Sequence, residues 1–145
     1  MNSEEENIAV GIQLGLSVLL MLVTTLIHGL GLVGIAKGLN LRDDRLEKQA
    51  FNIKALWLMC MMGVALFALH TLEIWIFALI FLLMGALGDF ESALYYSASS
   101  YATLGIASDF PKPWRIFGTG QSLIGFLMIS WSTAFIVRNF NKLRE

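Results

Sequence analysis

The chain has 145 residues, of which 57% are hydrophobic and only 14% charged, and its formal net charge is −1. Soluble domains usually carry about 25% charged residues, so the composition points to an integral membrane domain. With charge nearly balanced there is no basic surface to recruit nucleic acid. A single cysteine, Cys60, excludes an intrachain disulfide.

The N-terminus opens Met-Asn-Ser-Glu-Glu-Glu, with no basic region and no small-residue cleavage site after the first apolar run. A removable leader is therefore not expected. Three apolar segments exceed the roughly 20 residues a crossing helix needs. They run from about Ile8 to Ala36, from about Ala55 to Leu87, and from about Ile116 to Val137. Cys60 falls inside the second and is expected to be a small buried hydrophobe.

Between the first two spans, residues 39–53 carry charges of both signs at helical spacing. That pattern predicts a cytoplasmic extension of the second helix or an interfacial helix rather than a disordered linker. The domain plan is thus an N-terminal transmembrane helix (1–38), an amphipathic connector (39–53), a pore-like unit (54–138) and a short tail (139–145).

Basic residues set the expected orientation. Lys37, Arg42, Arg45, Lys48 and Lys54 lie between spans one and two, and Arg138, Lys142 and Arg144 follow span three. Only Lys112 and Arg115 lie between spans two and three. Positive residues are retained on the cytoplasmic side, which predicts an outside N-terminus and a cytoplasmic C-terminus in a plasma or inner membrane.

The segment between spans two and three is the most informative. Asp89 is placed to cap a short helix that starts near Phe90, and Glu91 suits the positive end of its dipole. The helix is expected to end near Ala102, ringed by Tyr95, Tyr96 and Tyr101. It runs directly into Thr103-Leu104-Gly105-Ile106-Ala107. A short helix followed by an extended return is the order of a re-entrant loop, whose bare backbone is tolerated only inside protein or along a water-filled path. The alternative is an amphipathic hairpin that caps the bundle from outside.

The stretch from Phe90 to Pro111 resembles the pore loop of the two-helix potassium-channel superfamily. In that family an Ala-Leu and two aromatics lead into Thr-Val-Gly-Tyr-Gly-Asp. Here Ala93-Leu94-Tyr95-Tyr96-Ser97 aligns without gaps, and residues 103–107 occupy the filter. The runs His70 to Trp75 and Gly125 to Phe135 are similar to short bacterial channel-like proteins with one extra N-terminal helix, so the resemblance spans residues 20–137.

The resemblance implies an all-α membrane protein with three transmembrane helices, a re-entrant pore helix and a filter loop, assembled as a homotetramer in lipid. It implies conduction of K⁺ or another monovalent cation, without cofactor, small-molecule substrate or catalysis. Carbonyls of Thr103, Leu104, Gly105 and Ile106 would replace the ion's hydration shell. Gly105 meets the need for positive φ, whereas Ala107 stands where a second glycine is usual. Ile106 replaces the family's tyrosine, and Ser99 stands where many members have a glutamate. Ser108 replaces the following aspartate, with Asp109 one residue late. Tyr96, Ser99, Ser100, Ser108 and Asp109 are the expected filter supports.

Along the third span, Gln121, Ser122, Ser130, Ser132 and Thr133 are expected either to face a wet cavity or to bond to neighbouring helices and their own carbonyls. Gly118, Gly120 and Gly125 permit close packing or bending, and Gly125 is the expected hinge. His28, His70 and Glu73 are the ionisable side chains deep within the spans, and their depths allow the three to meet. A proton-sensing gate, a divalent-metal site and a permanent His–Glu hydrogen bond locking the helices are the three options for them. A non-conducting or regulatory membrane subunit derived from a pore is the rival to the channel as a whole.

Overall fold

The computed structural model describes residues 3–41, 53–105 and 111–144. Four helices account for nearly all of these: α1 (Ser3–Gly38), α2 (Ile53–Leu83), α3 (Phe90–Tyr101) and α4 (Arg115–Arg144), the last preceded by a 3-10 turn at Lys112–Trp114. Among the described residues there is no strand. Ala9–Gly38, Ala55–Leu83 and Lys112–Asn141 are each long and apolar enough to cross a membrane. Residues 42–52 of the expected connector lie outside the described residues.

The second helix ends at Leu83, four residues before its expected end at Leu87. Gly85 (φ 65°) is the cause. Its N–H bonds to the Leu82 carbonyl and that of Ala86 to the Phe81 carbonyl, a Schellman closure with glycine in the left-handed position. Helix α1 ends in the same way. Asn40 (φ 50°) bonds back to Lys37, and Leu41 to Ala36.

Helix α3 begins where expected. Asp89 adopts an extended conformation and its carboxylate accepts the Ser92 N–H at 2.8 Å. From there α3 descends between α2 and α4, burying Ala93, Tyr96, Ser97, Ser100 and Tyr101. Phe81 meets the Tyr96 and Phe117 rings edge-on, at 5.2 and 5.4 Å between centroids. Tyr95 points outward and is 69% exposed, so only two of the three expected tyrosines close around the helix.

Two contacts measure how far α3 descends. Tyr101 reaches Glu73, ten residues back from the end of α2. The Tyr101 carbonyl lies against Gly125, ten residues into α4, where an added Cβ would collide with it. Ten helical residues span about 15 Å. The end of α3 therefore sits level with the middle third of the candidate spans. Gly125, the expected hinge, lies within a continuous α4 and makes room for this close approach.

Helix α1 packs along α4. Gly120 seats the Ser17 side chain, and Gln13 Oε1 accepts the Phe117 N–H at 3.2 Å, satisfying a donor in the first turn of α4. Cys60 is exposed on the outer face of α2, contrary to expectation. A helix that is apolar on all sides gives no hydrophobic contrast to say which face is inside.

The cap makes a testable statement about pH. The Ser92 backbone hydrogen bond holds the Asp89 carboxyl below the usual carboxylate range. A depressed folded-state pKa contributes stability above the unfolded value that is lost as pH falls through the folded one. Resistance to thermal unfolding in detergent is therefore expected to fall as pH drops below about 4. Asp89→Asn, which keeps a capping oxygen, is expected to reduce that dependence.

Candidate functional site

One polar network joins all four helices. Glu73 on α2 is fully buried, and its two oxygens face opposite partners. His28 Nδ1 on α1 lies 2.9 Å from Glu73 Oε1. On the other side, the Tyr101 hydroxyl of α3 donates to Glu73 Oε2. His70 Nδ1 lies 2.7 Å from the Tyr101 oxygen and 3.5 Å from Glu73 Oε2. Ser132 Oγ on α4 completes the chain at 3.2 Å from His28 Nε2.

Proton count assigns the tautomers. Tyr101 has one proton and gives it to Glu73, so its oxygen accepts the Nδ1–H of His70. Glu73 accepts from His28 Nδ1–H, which leaves His28 Nε2 to accept from Ser132. Both carboxylate oxygens of Glu73 and both ring nitrogens of His28 thus have partners. The imidazoles also stack loosely, with centroids 5.3 Å apart, and Trp131 lies beside His28 at 5.5 Å.

His28, His70 and Glu73 thus come together as their depths allow, with the His–Glu bond crossing from α1 to α2. Two partners were not singled out for this cluster. Tyr101 was expected only to pack around α3, and Ser132 was one of several polar residues along its span. The signal for Tyr101 is its position at the last turn of α3, level with His70 and Glu73 once α3 is turned inward.

A second polar clasp holds α3 higher up. Ser97 Oγ donates to the Ile74 carbonyl at 2.7 Å and accepts from Gln121 Nε2 at 2.7 Å. Ser100 Oγ donates to the Gly118 carbonyl at 2.7 Å and meets the Ser122 hydroxyl at 2.9 Å. Gln121, Ser122 and Ser132 therefore bond to neighbouring elements. Ser130 and Thr133 bond to the Phe126 and Ile129 carbonyls of their own helix. Of the expected supports, Tyr96 and Ser100 are buried and Ser99 is half-buried. Ser97, not among those expected, is buried as well.

The chain leaves α3 through a third Schellman closure. Thr103 N–H bonds to Ser100 O at 3.0 Å, and Leu104 N–H to Ser99 O at 2.9 Å. The left-handed position, filled by Asn40 and Gly85 at the other two ends, is here Thr103 with φ 57°. For a β-branched residue that conformation is an outlier, costing about 1–2 kcal/mol. Gly105 follows at φ 107°. Thr103, Leu104 and Gly105 are exposed, Leu104 at 80%. Among the described residues, no donor reaches their carbonyls. Ile106, Ala107, Ser108 and Asp109 lie outside the described residues.

No protein-family model matches the chain, and neither the curated proteins nor the solved structures compared with it yield a match. The class is therefore defined by the chain's own features: an all-helical protein with three helices fit to span a membrane and a fourth, short helix held between two of them.

Two substitutions probe this arrangement. Thr103→Asn, copying the end of α1, is expected to raise stability in detergent by about 1 kcal/mol through relief of the strained φ. Tyr101→Phe strips one donor from the buried carboxylate and is expected to cost about 1–3 kcal/mol by the same measurement.

Proposed function

We propose that the chain is one subunit of a homotetrameric channel for monovalent cations, K⁺ foremost, in a plasma or inner membrane. The N-terminus is outside and the C-terminus cytoplasmic, following the eight of ten basic residues on one side of the spans. Helix α3 is the re-entrant pore helix, and residues 103–107 form the ion path.

The observation that carries this reading is the chain leaving α3. Level with the middle of the candidate spans, Thr103, Leu104 and Gly105 expose carbonyls that accept no hydrogen bond from the described residues. Backbone in that state is not tolerated against lipid, where each unsatisfied group costs several kcal/mol. It needs either protein around it or a hydrated path. Further copies of the same subunit supply both, because four such strands around an axis surround a cation with peptide oxygens.

One detail supports a cation as the occupant: helix α3 points its C-terminal end, with the negative pole of its dipole, at the same level. The strain at Thr103 fits a functional position, where unusual backbone conformations concentrate.

Thallium or potassium entry into liposomes tests the proposal. The wild-type protein is expected to conduct. Gly105→Ala is expected to lower flux at least tenfold while the subunit stays folded, because a Cβ there meets nothing within 4 Å among the described residues but opposes φ 107°. Oligomers that pass no cation would favour a non-conducting subunit built on a pore-like fold.

A further inference from the structure

We propose that His28, His70 and Glu73 form an intramembrane binding site for a first-row divalent transition metal, Zn²⁺ being the best fit. The site would tie α1 to α2 beside the end of α3.

The donor set comes first. Two imidazole nitrogens and one carboxylate converge from two helices, and their ligand atoms all lie within 4.8 Å of one another. Adjacent ligands of a four-coordinate zinc, bound at about 2.0–2.1 Å, stand a little over 3 Å apart. His28 Nδ1 stands 2.9 Å from Glu73 Oε1 and His70 Nδ1 3.5 Å from Oε2, distances that bracket that spacing with one carboxylate oxygen facing each histidine. Nitrogen and carboxylate together select zinc and its neighbours over calcium or magnesium, which take oxygen ligands.

Charge is the second, independent observation. Glu73 is a fully buried carboxylate at mid-span level, and among the described residues it pairs with no lysine or arginine. Buried charges are normally paired or coordinated to metal. Among the described residues, its only potential counter-charges are the two histidines that would share the ion.

The surroundings also have the form of a metal site's outer shell. A ligating histidine normally gives its other ring N–H to an oxygen, which fixes the ring and its tautomer. When the metal takes His28 Nδ1, the ring proton moves to Nε2, and Ser132 Oγ is already 3.2 Å away to accept it. No proton leaves the histidine. The Tyr101 hydroxyl donates to Glu73 Oε2 and so positions the carboxylate; its bond from His70 Nδ1–H gives way when that nitrogen takes the metal, and the ring proton moves to Nε2. His70 is the one partly exposed member, at 19%, which gives an ion a way in.

The test reads binding rather than flux, so its failure leaves the channel proposal standing, and the reverse also holds. Cys60 is an exposed thiol and a competing ligand, so the full chain is used with Cys60→Ser and without a histidine tag. Titration of the detergent-solubilised protein with Co²⁺ is expected to produce the intense visible bands of four-coordinate cobalt, saturating at one ion per chain and displaced by Zn²⁺. His70→Ala and Glu73→Gln are expected to abolish those bands. Ser132→Ala, which keeps all three ligands, is expected to weaken binding by about 10–100-fold with the spectrum retained. Absence of stoichiometric binding to the Cys60→Ser protein would overturn the proposal even if a ligand variant fails to fold. Bands that persist in both His70→Ala and Glu73→Gln would overturn it equally.

Discussion

A carboxylate placed in the middle of apolar helices must be satisfied on every side, and in this molecule that requirement sets the architecture. Glu73 receives His28 from α1 and Tyr101 from α3, while Ser132 of α4 backs His28. Tyr101 is at the last turn of α3, so its bond to Glu73 sets how far that helix descends between its neighbours. Without that anchor, the depth of this 12-residue helix would rest on side packing and the hydroxyl bonds higher up. The serine clasp at Ser97 and Ser100 then fixes its rotation, because each hydroxyl bonds to a carbonyl on a different flanking helix.

The three helix ends place strain where it is least expected. The same closure finishes α1, α2 and α3, and two of the three use residue types suited to left-handed backbone. Thr103 breaks that pattern at the point where the chain turns into the segment proposed to meet ions. A hydroxyl-bearing residue kept at a conformational cost is more readily explained by what its oxygens do than by how it packs. Gly125 complements it from the opposite side, letting α4 come against the Tyr101 carbonyl with no side chain between.

Much of this was legible in the residues themselves. Hydropathy located the three spans, and Asp89 with Glu91 marked the start of α3 near Phe90, where it begins. Helical rise was enough to bring His28, His70 and Glu73 to one level. What stayed hidden was any property that depends on which way an all-apolar helix faces: Cys60 was expected inside and is exposed. Gly85 went unread as a stop signal because the apolar run continues past it to Leu87. The pairing of Ser97 with Gln121 and of Ser132 with His28 depends on rotation between helices that are distant in the chain, and no local pattern encodes that. Positive φ was foreseen at Gly105 and not at Thr103, since threonine carries no composition signal for left-handed backbone.

The central claim is that the end of α3 delivers the peptide oxygens of Thr103 to Gly105 to an axis shared by several copies. An experimental structure of the protein in lipid with thallium, located by its anomalous scattering, addresses it most directly. The account predicts thallium peaks on a fourfold axis, each ringed by carbonyl oxygens from residues 103–105 of four subunits. Subunits that enclose no axis, or an axis from which those carbonyls turn away, would contradict it.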